Sequence, residues 1–333
     1  MTSVTAPSAT GRATREPPVT FDSERLQGVQ RRFALATIVV PFMGTAAAVG
    51  SVPYWGIHWI DLALLLVLFG ATSIGLTVGY HRLFAHRSFK ATPTLRIALG
   101  VLGSMAALGS PIYFVATHRR HHQYAERDED PHSPYVHDGR RLGRLRGFWH
   151  SHVGWMLDSR MTNTALFAKD LLQDPAMVKV NQMYLVFVLL GLAVPAVAGG
   201  LATGSGTGAM RALLWGGFVR MFLVHHLMWT SGSTAHMIGT RPFDTPDRSK
   251  NNPVLAIPNF GEAWHNNHHA FPYSAMFGLT WWQIDPGGRA IRVFERLGWA
   301  RDVRAPTAEM IEAKKRRARE TEAGGGHVAW GRE

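Results

Sequence analysis

Ile97-Ala98-Leu99-Gly100-Val101-Leu102-Gly103-Ser104-Met105-Ala106-Ala107-Leu108-Gly109-Ser110-Pro111-Ile112-Tyr113-Phe114-Val115-Ala116 is uncharged and of membrane length, and whether it crosses a bilayer decides the fold. A helix needs about 20 predominantly apolar residues to span the hydrocarbon core. Four other stretches meet that requirement: Phe33 to Val52, Ile60 to Tyr80, Met183 to Ala202 and Ala212 to Thr230. Short histidine clusters follow these apolar runs. His81-Arg82-Leu83-Phe84-Ala85-His86 comes after the second span, and His118-Arg119-Arg120-His121-His122 comes just after Ala116. His236 trails the last span, and His265-Asn266-Asn267-His268-His269 lies beyond it. If Ile97 to Ala116 crossed, His81 and His86 would sit on the opposite side from the rest. With four crossings, all nine histidines share one face. Gly100, Gly103, Gly109 and the Ser110-Pro111 break fit a helix that lies in the interface or is buried against protein.

The charge distribution agrees. Ser51 to Trp59 contains no Lys or Arg and Thr203 to Arg211 contains one, whereas His81 to Asn181 carries fourteen. The positive-inside rule then places both termini and every histidine cluster in the cytoplasm. The expected architecture is an all-α integral membrane protein. It has four transmembrane helices, an interfacial helix and a cytosolic helical cap carrying the histidines. Residues 1–30, rich in Thr, Ser, Pro and Arg, read as a disordered tail without a secretory signal, and 31–305 as the membrane domain. Residues 306–333, with Lys314-Lys315-Arg316-Arg317, read as a basic disordered tail.

Composition narrows the chemistry. The 333 residues include no cysteine, which removes disulfides, thiolate metal sites and thiol nucleophiles. Net charge is +12 and the pI about 10.5. Such a balance suits nucleic acid, an anionic membrane face or acidic partners, and the apolar spans favour the membrane. No nucleic-acid motif is present. Gly204-Ser205-Gly206-Thr207-Gly208 joins two spans and is a tight turn, since a dinucleotide fingerprint needs a preceding strand.

Imidazole suits iron, copper, zinc and nickel, and nine are too many for one ion and about right for two. His118, His121 and His122 are spaced i, i+3 and i+4 and share one helical face. His265, His268 and His269 repeat the pattern. His81 and His86, five apart, do not share an α-helical face and fit a place where the second span unwinds. Of the other histidines, His58 and His327 read as non-ligands. His132, His137, His150 and His152 belong to the long cytoplasmic loop and read as supporting or surface groups. His225 and His226, inside the last span, face a cavity or a partner. Arg220 in the same span reads as neutralising a buried acid or snorkelling. Metal-bound imidazole donates its other N–H to a carboxylate or carbonyl, and Asp128, Asp130 and Glu262 stand at suitable distances.

These clusters resemble the three histidine boxes of membrane fatty acyl desaturases of the stearoyl-CoA Δ9 type. The resemblance extends to Arg127-Asp128-Glu129-Asp130-Pro131-His132-Ser133-Pro134 and to Arg146-Gly147-Phe148-Trp149-His150-Ser151-His152-Val153-Gly154-Trp155. It includes Gly261-Glu262-Ala263-Trp264-His265-Asn266-Asn267-His268-His269-Ala270-Phe271-Pro272 and covers roughly Phe33 to Val303. It implies four transmembrane helices under a cytosolic domain with two irons. By position, His81, His86, His122 and His269 would hold one iron, and His118, His121, His236, His265 and His268 the other. It also implies that Trp229 lines a substrate tunnel and that Phe69 and Ser73 limit chain length. One departure stands out. Gly232 occupies the place of a family asparagine that holds the first iron through water, which leaves either a water held by Ser231 or Ser233, or a looser coordination.

The implied reaction is O2-dependent insertion of a cis double bond, at Δ9 in the type family, into a long saturated acyl-CoA or acyl-lipid. Hydroxylation or acetylenation on the same centre are the alternatives. A non-catalytic metal carrier is the remote one, because transporters place ligands near the bilayer midplane. The chain shows no haem, flavin or nicotinamide site. Electrons are therefore expected from a separate ferredoxin, reductase or cytochrome b5, and the location is the membrane of a bacterium or, in a eukaryote, the endoplasmic reticulum.

Overall fold

The computed structural model describes residues 17–323 apart from Asp22 and Ser159. Helices dominate, and three are long and apolar enough to cross a membrane: α1 (Glu24–Trp55), α2 (Trp59–Ala85) and α6 (Tyr184–Thr203). Only 17% of the apolar stretch of α1 and of α6 is buried inside the protein, as lipid-facing helices require, whereas α2 is 44% buried. Residues 206–232 form a further helix, α7, whose middle, Leu213–Val219, winds in wider turns between Gly206–Ala212 and Arg220–Gly232. It packs between α1, α2 and α6.

The doubtful stretch 97–116 is broken, as Ser110-Pro111 predicts. It divides into α3 (Pro93–Met105) and α4 (Pro111–Tyr124). Thr92 caps α3 by accepting from the Leu95 N–H, and Pro111 opens α4 where its missing N–H costs nothing. The turn between them needs left-handed backbone at Ala107 (φ 62) and Gly109 (φ 111). Amides at the turn and at the start of α4 find partners: Gly109 donates to the Tyr184 hydroxyl and Ile112 to Asn181 Oδ1. Helix α3 lies hard against α2, and a Cβ on Gly75 would fall 2.2 Å from the Gly103 nitrogen.

Arg220 departs from expectation. It neither meets an acid nor snorkels. Its guanidinium is fully buried and donates to the carbonyls of Gly216, Met105 and Gly191 and to Thr72 Oγ1. His225 Nε2 reaches the neighbouring carbonyl of Ala106 at 2.7 Å. Together they satisfy the carbonyls at the end of α3 from within the apolar layer.

The cap is built on α4, on α5 (Arg144–His152), on the short α8 (His265–Ala270) and on α9 (Pro286–Arg296). Three two-residue strand pairs staple it: Thr20–Phe21 with Met161–Thr162, Lys90–Ala91 with Ala300–Arg301, and Val136–His137 with Arg140–Arg141. The expected tails are shorter than read from composition. Residues 24–30 already belong to α1, and 308–323 form α10 (Ala308–Ala323), whose Lys314 ammonium binds the Ala270 carbonyl. Thr20–Phe21 of the first tail pairs in a strand, and residues 1–16 and 324–333 lie outside the described residues.

Candidate metal centre

The end of α2 brings the first cluster together. Residues Gly75–Ala85 wind with i to i+5 hydrogen bonding, including His86 N–H to the His81 carbonyl. The wider turn puts His81 and His86 on one side, with ring centroids 4.9 Å apart, where ordinary α-helix would separate them. Arg119 of α4 locks the second cluster to the first: it donates to the Phe84 and Ala85 carbonyls and forms an ion pair with Asp170. Arg82, fully buried, does the same for the third cluster through Asp285 and the carbonyls of Ala275 and Phe260. The asparagines inside that cluster clip α8 in place, Asn266 through Phe243 and Asn267 through Asn251 and the Phe277 carbonyl.

Nine imidazoles from four places in the sequence converge in two groups. One contains His81, His86, His118, His122 and His268, and the other His121, His236, His265 and His269. This grouping differs from the one implied by resemblance, because His118 and His268 lie with His81 and His269 lies with His121. The hydrogen bonds explain the difference. Asp247 Oδ2, 2.7 Å from His269 Nδ1, aims that ring at the second group, while His268 Nε2 sits 2.9 Å from His122 Nε2 and 3.1 Å from His81 Nε2.

Four carboxylates fix the tautomers. Glu262 accepts from His81 Nδ1, Asp130 from His121 Nδ1 at 3.0 Å, Glu126 from His236 Nδ1 at 3.1 Å and Asp247 from His269 Nδ1. An imidazole whose Nδ1 donates to a carboxylate offers only a lone pair at Nε2. Yet Nε2 atoms face one another at 2.7 Å for His86 and His118, and at 3.1 Å for His236 and His265 and for His265 and His269. His121 Nε2 is buried without any hydrogen-bond partner. The four carboxylate-held rings thus turn bare Nε2 lone pairs inward, and that of His121 is buried with no donor to meet it, so this donor set fits metal ions.

Electrostatics points the same way. Burial, with the charge of neighbouring imidazoles, holds His86, His118, His122, His265 and His268 well below the usual histidine range, in the neutral form that ligates. Burial would lower His236 too, but the hydrogen bond and charge of Glu126 outweigh it and raise it. Burial alone would raise Asp130 and Asp247, and their histidine partners hold both below the carboxylate range. Glu262 moves the other way, to about 8, because burial outweighs Arg82.

Of the expected carboxylates, Asp130 and Glu262 reach histidines and Asp128 does not. Helix α4 ends at Tyr124 and Glu126 takes φ 61, reversing the chain. Asp130 therefore points inward, while Asp128 faces out to the Gly139 N–H and Arg160. Glu126 and Asp247 had no sequence pattern to mark them.

An apolar cavity of about 110 Å³ touches both groups through His81, His118, His121 and His265. That is on the scale of the roughly 150 Å³ void that admits benzene in another protein. Leu108, Phe114, Met228 and Trp229 supply its apolar wall. Trp229 lines this cavity, but Phe69 and Ser73 are not on its wall. They precede His81 by two to three helical turns, and Phe69 instead meets Phe260 edge-on at 6.0 Å. At Gly232, which lines this cavity, the nearest side chain is His132. A Cβ at 232 would lie 3.2 Å from His132 Nδ1, and that ring stacks on His121 at 4.3 Å. A second depression reaches His86, His122 and His269 between Arg119, Arg127 and Asp247.

A model of the fatty acid desaturase family matches residues 57–300. The chain belongs to the fatty acid desaturase family. It is 44% identical over 299 residues to a hex-5-enoyl-(acyl-carrier protein) acetylenase of Moorena producens (strain JHB), covering 89% of this chain and 93% of that one. It is 35% identical to an sn-1 stearoyl-lipid 9-desaturase of Anabaena variabilis, covering 74% and 85%. It is 37% identical to Delta-9 acyl-lipid desaturase 2 of Arabidopsis thaliana, covering 78% of each. This desaturase is thus an oxidoreductase with apolar helices of membrane length and histidine groups able to hold metal.

Proposed function

We propose that this desaturase introduces unsaturation into an acyl chain held in the apolar cavity, using two irons bound by His81, His86, His118, His122 and His268 and by His121, His236, His265 and His269. The observation that carries this reading is the cavity wall itself: apolar side chains and imidazoles from both groups line one space. When bound, the irons supply an oxidant, generated from O2 and external electrons, that is strong enough for an unactivated C–H bond. Dehydrogenation takes one hydrogen from each of two neighbouring methylenes. With O2, two electrons and two protons, the products are a double bond and two waters.

The chain's own residues bind, orient and exclude. Leu108, Phe114, Met228 and Trp229 hold methylenes against the imidazoles and keep water out. Glu262, Asp130, Glu126 and Asp247 keep each ring's Nε2 turned inward. The depression beside His86, His122 and His269 gives electrons a second approach, and the exposed Arg127 on its rim suits an acidic donor such as a ferredoxin, small reductase or cytochrome b5. Residues 206–232 serve as a fourth crossing, with both termini and the cap in the cytoplasm.

Two products are in play. Insertion of a cis Δ9 bond into a long acyl-CoA or acyl-lipid is supported by the stearoyl-lipid and Delta-9 acyl-lipid relatives. Oxidation of a shorter, already unsaturated chain on a carrier protein to a triple bond is supported by the acetylenase relative and by a small cavity that excludes Phe69 and Ser73. Expression in a desaturase-deficient host supplied with saturated and mono-unsaturated acids of short and long chain separates them by mass spectrometry of the products. Absence of any new unsaturation with iron bound and a donor present overturns the reading.

A further inference from the structure

Helix α5 presents an unusual surface. Its inner face is fixed: a Cβ on Gly147 would fall 2.0 Å from the Pro134 carbonyl oxygen, and His150 and Ser151 are buried. Its outer face carries Leu145, Phe148 and Trp149, which are 88%, 40% and 61% exposed. With His152 they follow the i, i+3, i+4, i+7 spacing of an apolar helical stripe. Such a stripe is normally buried; here α7 meets its His152 end, while Leu145 and Trp149 stay largely exposed.

Two observations say what does. The first is continuity with the lipid-facing surface. Phe148 stacks on His152 at 5.2 Å, His152 meets His226 of α7, His226 meets Phe222 at 4.3 Å, and Phe222 meets Phe42 of α1. Phe42 is exposed on an apolar helix of membrane length. The stripe of α5 is therefore the upper end of the surface that the spans turn to lipid. The second is charge. Arg140, Arg141, Arg144 and Arg146 flank the stripe, and all are exposed. None forms an ion pair with a carboxylate among the described residues, and no Asp or Glu occurs between 139 and 157.

We infer that α5 and the Arg140–Arg141 hairpin arm form a membrane-surface anchor. Leu145, Phe148 and Trp149 enter the boundary of the acyl region, and the four arginines bind the head groups of anionic phospholipid. Apolar burial fixes the depth of the helix, and each arginine near an anionic surface adds attraction. Because His152 bonds Ser233 Oγ at 2.9 Å and His226 Nδ1 at 3.1 Å, this anchor is tied directly to the segment that leads to His236.

The test uses the full chain reconstituted in bilayers, with an environment-sensitive fluorophore on Leu145→Cys, the native chain having no other thiol. Membranes carry equal fractions of nitroxide-labelled phosphatidylcholine or nitroxide-labelled phosphatidylglycerol. The label is expected to be quenched by both, and more strongly, by several-fold, by the anionic lipid. Arg141→Gln, Arg144→Gln and Arg146→Gln are expected to weaken that preference, by up to roughly fivefold each, while quenching by the neutral lipid persists. Circular dichroism and bound-iron content of each variant separate loss of the anchor from loss of the fold or of the metal reading. A label that stays in water, or one quenched equally by the two lipids in the parent chain, overturns the inference. A label that leaves water only when an acidic carrier or donor protein is added assigns the surface to a protein partner and overturns it too.

Discussion

Glu126 lies 110 residues before His236, yet its Oε1 accepts from His236 Nδ1 at 3.1 Å and from the Arg248 N–H as well. The turn that carries Glu126 also carries Asp130, which holds His121 and accepts from the Glu126 N–H. One short loop thus orients two of the four imidazoles in the second group.

Glu126→Gln should therefore loosen the second group more than the first. Loss of such a partner typically costs about 10–100-fold in metal affinity or activity. Iron titration of the apoprotein should show one site weakened by that order and the other unchanged. Equal affinities at both sites would remove Glu126 from this role.

Gly232→Asn should be harmful because a side chain there crowds His132. The new Cβ would press on His132 Nδ1 at 3.2 Å and lie near the Ser151 carbonyl, so the ring stacked on His121 must move. Turnover is expected to fall at least tenfold in the asparagine variant, with a milder loss in Gly232→Ala. Product yield and bound iron, measured side by side, check this, and an asparagine variant matching the parent in both would refute it.

Arg220→Met should destabilise the apolar layer. It strands the Met105 and Gly191 carbonyls, and an unmade buried hydrogen bond costs about 1–3 kcal/mol. Thermal unfolding in detergent should show a drop of several degrees, with Arg220→Lys intermediate. A methionine variant as stable as the parent would show that the guanidinium contributes nothing net.

Acid should weaken the clamp at Asp170. Burial pushes its carboxyl up, but Arg119 and Arg87 prevail and hold it at about 2, below the ordinary 3.8. A depressed carboxyl contributes stability that is present above pH 3.8 and is lost as the pH falls toward 2. Asp170 is about a third exposed, so solvent screening limits this to roughly 1 kcal/mol. Asp170→Asn should lower the melting temperature at neutral pH and flatten its decline between about pH 4 and 2. An unchanged pH profile would count against the ion pair.

Sidedness is open to thiol labelling, since there is no native cysteine. Cysteines at Tyr54 and Gly206 should react from outside the cell, and those at Lys90 and Arg140 only from the cytoplasm. External labelling of Lys90 would invert the orientation derived from the arginine-rich loops.

The sequence by itself determined what depends on local spacing. Apolar runs of membrane length and the Ser110-Pro111 break state where helices run and stop. The i, i+3, i+4 histidines state which rings share a face of α4 and of α8. Tertiary structure alone decided which nitrogens meet. Winding at the end of α2 is set by its packing against α3 and α4, and it brings His81 and His86 together. Glu126 and Asp247 stand 110 and 22 residues from the imidazoles they orient, with no local pattern to announce them. His132 lies against Gly232 because a turn 100 residues earlier folds over it. Spacing along a chain fixes the face a side chain takes, whereas partners across the fold are chosen by packing, burial and hydrogen bonding that no local window contains.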